Sequence, residues 1–319
     1  MPESGEASAA GEGPDDPAGE AEGDDATDER RLFEQTTAAS HLYVACDIGV
    51  ARVAIARDRI GQFELVARCS PTSIATSAGR VAVGTAERVL LSVDGETFAP
   101  AGGETALVTE VTRGTDTSVA AVGLDGSHLL DATDDGRVFG RGSDAEASDW
   151  QRLGRVGDPR RFDGPLLAAG DGIYRVDVDE STVESLGLTD GRDVAAVPTT
   201  GEWTDTGDCF AATADGLLRY RDGEWTDERS GSTRGVEATR DGVYAVDESG
   251  LLERDRGDWR RLDSPAGVPA DIAHGESLYC VTGDGTVHIA VGAGLASDGH
   301  RGWRSQPLGL DGVVGVALV

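Results

Sequence analysis

One pattern recurs along this chain and leaves little freedom for its fold. A short strand runs into a turn ending in glycine, an apolar strand follows, and a second turn leads to a strand with an aromatic residue at its start. The clearest copy is CFAATADGLLRYRDGEWT, Cys209 to Thr226. Asp215-Gly216 and Asp222-Gly223 are tight-turn pairs, because such turns need positive φ, which glycine adopts without steric cost. Leu217-Leu218-Arg219-Tyr220 between them has the composition of a strand. The same parts return in VYAVDESGLLERDRGDWRRL (Val243 to Leu262) and in SLYCVTGDGTVHIAV (Ser277 to Val291), which Trp303 follows after an insert. They return again in HLLDATDDGRVFGRG before Trp150, LLAAGDGIYRVDV before Val183, and HLYVACDIGVARVAI before Phe63. RVAVGTAERVLLSVDGETF (Arg80 to Phe98) is the loosest copy.

Aligning the first turns gives Gly49, Arg88, Gly136, Gly172, Gly216, Gly250 and Gly285. Copies spaced by roughly 40 residues, each with room for four strands, predict an all-β, seven-bladed β-propeller. A meandering β-sandwich would share the local signals but not the regular period. The fourth strand of each repeat lies between copies, as in SIATSAG, SVAAVG, DVAAVP, GVEATR, DIAHG and VVGVALV. The first copy, from His41, has no such strand before it, whereas the chain ends on an apolar strand with no turn after it. The C-terminal strand is therefore predicted to join the N-terminal blade and close the ring, leaving no edge between the first and last blades. Trp150, Trp225, Trp259 and Trp303, with Phe63 and Phe98, are predicted at equivalent outer-strand positions, packed between neighbouring blades.

Residues 31–319 are predicted to form the propeller. Residues 1–30, rich in acidic and small residues, contain nothing to bury and are predicted to be a disordered acidic tail. They have neither the basic start nor the apolar centre of a signal peptide. The formal net charge is −30, every basic side chain is arginine, and asparagine is absent. An acidic surface without lysine resembles proteins of salt-loving archaea. Molar salt shortens the Debye length to about 3 Å and screens the self-repulsion such a surface would otherwise suffer. The charge is spread along the chain and argues against nucleic acid as a direct ligand. No stretch is long enough to span a membrane. A cytoplasmic monomer is the expectation. Cys46, Cys69, Cys209 and Cys280 lie far apart and read as reduced, mostly buried thiols.

No H-E-x-x-H, H-x-H or G-x-S-x-G signature occurs in the sequence, and no cofactor or metal ion is expected. SVDGETF (Ser92 to Phe98) resembles the Asp-box of sialidase-type propellers, S-x-D-x-G-x-T-W, with its glycine one residue early. In that family the box is a structural turn. Two groups of residues are candidates for a site. The first turns bring Asp47, Asp135, Asp171, Asp215, Asp247 and Asp284 to one rim, a possible acidic face for cations or basic partners. The same residues are also what tight turns select when asparagine is absent. On the inner strands Glu237, Arg240, Asp271 and His274 are candidate polar residues of the central channel.

The unit DGLLRYRDGEW (Asp215 to Trp225) resembles the short propeller repeats of two-component regulators. Across residues 31–319 the acidic seven-fold pattern is similar to a family of uncharacterised haloarchaeal β-propellers. That resemblance implies fold and setting but no catalytic residue. The motifs favour a non-catalytic scaffold that binds a protein partner over an enzyme. The alternative is a small-molecule-binding or hydrolytic propeller with its site at the channel mouth. Several ionisable side chains converging on the channel would favour that alternative.

Overall fold

The computed structural model describes residues 40–56, 59–101, 118–126, 128–142, 150–197, 208–291 and 302–319. The predicted tail lies outside them. The described strands form seven four-stranded antiparallel sheets. From the inner strand outward, blade 1 is Gly315–Leu318, Ser40–Cys46, Gly49–Ala56 and Arg59–Ala67. Blades 2 to 6 follow in chain order, with inner strands Pro71–Ser77, Val119–Leu124, Pro159–Asp163, Gly191–Ala196 and Thr233–Ala238. Blade 7 begins with Asp271–His274 and ends with Gly302–Pro307.

All seven aligned positions fall at the turn between the second and third strands of a blade. The glycine has a steric cause. A Cβ on Gly136 (φ +88°) would stand 2.1 Å from the Val156 carbonyl oxygen, and one on Gly285 (φ +72°) 2.2 Å from that of Leu310. In both blades the chain leaving the outer strand crosses directly over the turn, so a side chain has no room. Blade 2 carries Arg88 here and caps the turn with a threonine, whose Oγ1 (Thr85) accepts the Arg88 N–H at 3.0 Å. Thr133, Thr213 and Thr282 cap the corresponding turns of blades 3, 5 and 7.

The ring closes as the sequence predicts. Gly315–Leu318 pairs with Ser40–Cys46, setting Leu42 opposite Leu318 and Ala45 opposite Gly315. His41 and Val319 exchange both backbone hydrogen bonds, at 2.8 and 2.9 Å. The core consists of apolar layers between adjacent blades. Leu42, Val53, Tyr279 and Ile289 pack between blades 1 and 7. Leu130, Phe162 and Leu167 pack between blades 3 and 4.

The aromatic positions need one correction. Trp225 and Trp303 donate their indole N–H to Leu186 O (2.8 Å) and Asp263 O (2.7 Å) of the preceding blade, and Trp259 donates to Glu228 Oε2 at 3.2 Å. Trp150 and Phe98 pack against the layers shared with the preceding blade, as does Val183 in blade 4. Phe63, however, is 41 % exposed. A register shift between the third and outer strands of blade 1, at Val53 and Ile55, puts Ile60 against the layer shared with blade 7 instead.

Cys46, Cys209 and Cys280 are buried and Cys69 is half-buried, and all four are free thiols. Burial pushes the thiols of Cys209 and Cys280 up to about 12. In SVDGETF, Asp94 accepts the N–H groups of Thr97 and Glu96 and the Ser92 hydroxyl. Those bonds, the Thr97 N–H first, hold its carboxyl at about 2. The segment is a structural turn.

Candidate functional site

An inner strand pairs with its blade on one edge only. Its other edge faces the channel and the next blade, where backbone N–H groups would lack partners. Four acidic side chains supply them. Asp163 Oδ2 accepts the Ala196 N–H of the next blade at 2.7 Å, and Asp193 Oδ2 accepts that of Val236 at 2.9 Å. Asp271 Oδ2 accepts the Val316 N–H at 2.8 Å, and Glu237 Oε1 accepts the His274 N–H at 3.3 Å. These carboxylates staple blades 4 to 5, 5 to 6, 6 to 7 and 7 to 1. Hydroxyls act on the remaining side, Thr76 donating to Leu318 O at 3.0 Å and Thr72 to Val119 O at 2.6 Å.

The staples concentrate charge. Arg161, from the inner strand of blade 4, lies between Asp193 (3.3 Å) and Asp271 (2.5 Å). Its side chain is 26 % exposed, and it lines the channel. The guanidinium is held charged, chiefly by Asp271. The carboxyls move the other way. Burial raises Asp163 to about 6, with Asp193 adding to the shift, and burial likewise raises Asp193 to about 6 against the pull of Arg161. Glu237 is raised well above the usual carboxylate range, by burial first and then by Asp163 and Asp271.

Two cavities share Arg161, Asp193, Asp271 and Ile272. The first, of about 210 Å³, is also lined by Asp163, Glu237 and His274. It lies toward the C-terminal ends of the inner strands. His274 Nδ1 is 2.6 Å from Thr239 Oγ1, and its ring lies against Tyr244 at 4.8 Å. The second, of about 290 Å³, lies at the N-terminal ends, the same face as the first turns, and is lined by Arg160, Arg192 and Arg234. A carboxylate-rich mouth and an arginine-rich mouth therefore meet at the Asp193–Arg161–Asp271 triad.

Of the predicted channel residues, Glu237, Asp271 and His274 come together here, whereas Arg240 is exposed on a hairpin outside both linings. Sequence reasoning missed Arg161 and Asp163 because PRRFD carries too much charge to resemble the apolar inner strands of other blades. Asp193 lay within a predicted inner strand but was not singled out.

The rim carboxylates sit at the first turns. Asp135 accepts from Thr133 Oγ1 (2.7 Å) and pairs with Arg137 (2.9 Å), Asp171 accepts the Gly157 N–H (2.8 Å), and Asp284 accepts from Thr282 Oγ1. Asp247 binds Ser249 and pairs with Arg229 at 3.0 Å. Asp47 and Asp215 join through their backbones, to Asp311 O and from Gly231 N. Among the described residues, no cluster of three or more His, Cys, Asp or Glu side chains is arranged to hold a metal ion. Nor is any helix long and apolar enough to cross a membrane.

The architecture is shared with distant proteins. YCF48 bound to D1 peptide is similar over 75 % of this chain and 82 % of its own, with a TM-score of 0.55 at 15 % identity. The WD40 propeller domain of Doa1 covers 77 % and 84 %, with 0.54 at 13 % identity. A chain of a nidogen/laminin complex covers 88 % and 98 %, with 0.51 at 10 % identity. At such identities the likeness establishes the fold alone. No functionally curated protein matches the chain. One family model spans residues 26–319, nearly the whole sequence and all seven blades. The chain belongs to that family, described as "Beta-prop_HVO_0234:-like, beta propeller".

Proposed function

We propose that this propeller is a non-catalytic scaffold that docks a protein partner on the face of its first turns, as a monomer in a salt-rich cytoplasm. The observation that carries the reading is the make-up of that face. Ile48 (53 % exposed), Val268 (38 %) and Val314 (42 %) are large aliphatic side chains open to solvent there, in the first turn of blade 1 and in the loops leading into blades 7 and 1. Single exposed aliphatics are ordinary. Three on one face offer apolar contact beside a mouth lined by arginine, the charged residue enriched at interface centres. The YCF48 propeller bound to D1 peptide and the nidogen/laminin complex offer precedent for this fold holding protein ligands.

Pull-down from lysate at native salt tests the reading. A stoichiometric partner retained by the native protein and lost by an I48D/V314D variant is expected. Absence of any partner, or equal retention by the variant, would overturn it.

A second reading is a small-molecule-binding or hydrolytic protein with its site at the channel mouth. It is favoured by the convergence of Arg161, Asp163, Asp193, Glu237, Asp271 and His274 on one cavity. Native mass spectrometry separates the two: a small molecule retained at one per chain, without a protein partner, supports this second reading.

A further inference from the structure

We propose that the arginine-lined mouth is an oxyanion-binding pocket, built to receive a small multivalent carboxylate or phosphate. The first ground is backbone geometry. In blades 2 to 6 the inner strand slips register against the second strand at one place: between Pro71 and Ser73, Val119 and Ala121, Pro159 and Arg161, Gly191 and Asp193, and Thr233 and Gly235. The extra residue is Thr72, Ala120, Arg160, Arg192 or Arg234. Such a bulge takes its residue out of the ladder and re-aims its side chain. In three consecutive blades that residue is arginine, and all three line the same cavity of about 290 Å³.

The second ground is donor capacity. Asp190 pins two of the guanidiniums, lying 2.8 Å from Arg160 Nη1 and 3.4 Å from Arg192 Nε. Arg160 is further held by Asp158 at 2.8 Å, and Arg192 Nη1 donates to Ser232 Oγ at 2.7 Å. Arg192 keeps its Nη2 edge, and Arg234 makes no ion pair or hydrogen bond among the described residues. An arginine has five N–H donors in a planar fork that fits a carboxylate or phosphate with two parallel bonds. Three arginines against Asp158 and Asp190 leave one positive charge at the mouth, in a chain whose formal net charge is −30. Arg161 below faces two carboxylates, Asp193 and Asp271, so that with these counted the lining is formally neutral, and the positive excess is confined to the three outer arginines.

Isothermal titration calorimetry in molar potassium chloride, with citrate and with inorganic phosphate as probes, tests the pocket without any protein partner. One site per chain is expected for at least one probe, weakened about tenfold or more in R234A and in R192A and unchanged in R59A, on the outer strand of blade 1. Arg234 is exposed, so R234A keeps its fold and remains decisive if R192A does not. A stronger response to citrate assigns the pocket to carboxylates, and a stronger response to phosphate assigns it to phosphoryl groups. Binding of neither probe, or equal binding to the native protein and both mouth variants, overturns the proposal.

Discussion

Replacing Arg161 with methionine would leave Asp193 and Asp271 side by side without their shared cation. Breaking a buried ion pair by removing one partner typically costs about 3 to 5 kcal/mol. The R161M variant is expected to melt at a correspondingly lower temperature at pH 8, and the deficit should narrow at pH 5, where Asp193 takes up a proton. A deficit independent of pH would mean that the guanidinium matters only for packing. Glu237 makes the complementary case. Its folded pKa, like those of Asp163 and Asp193 at about 6, exceeds the ordinary carboxylate value. The native state therefore holds protons that the unfolded chain has released, and stability falls as pH rises from about 4 through 6. Below that window the opposite class takes over, since Asp135, Asp247 and Asp284 have lowered pKa values and lose their contribution when protonated. Glu237→Gln keeps the acceptor for the His274 N–H and removes the charge. It should flatten the melting profile above about pH 4.5, where the unfolded glutamate has released its proton and the folded one has not, and an unchanged profile would exclude Glu237 as a source of the slope.

The elements test different terms. Trp225 is half-buried, lies 5.0 Å from the Tyr220 ring, and reaches across a blade boundary to Leu186 O. Trp225→Ala should cost about 2 to 3 kcal/mol, below the range for a fully buried tryptophan, as read by chemical denaturation. Deleting Gly312 to Val319 removes the inner strand of blade 1, exposes the edge of Ser40–Cys46, and should unfold the ring cooperatively. A melting midpoint equal to that of the full chain would show that closure is dispensable. The elements also show where the sequence was legible. First turns could be read because the steric demand at Gly136 and Gly285 admits almost nothing but glycine, and that demand returns in blade after blade. The inner strand of blade 4 could not, because alternation and apolar content are the signals of a strand and PRRFD shows neither. Its role comes from facing a lumen that other blades furnish with carboxylates. The exposed Phe63 was misread for a related reason: a register slip of one residue changes which side chain meets the neighbouring blade, and nothing local in the sequence marks it.

At the scale of the whole molecule, the charge of −30 is a long-range term that no pairwise contact offsets. Thermal midpoints should rise from dilute buffer to molar potassium chloride as repulsion is screened. Equal midpoints would remove the case for a salt-adapted surface. The architecture concentrates its vulnerability at the seam of blade 1. There the first described strand and the last strand are antiparallel partners, so Ser40 and Val319 emerge side by side. Force applied to these two ends loads the ladder bonds one after another, starting at His41–Val319, instead of shearing them together. A pull exerted between these two strand ends therefore meets the seam in its unzipping direction, one ladder bond at a time.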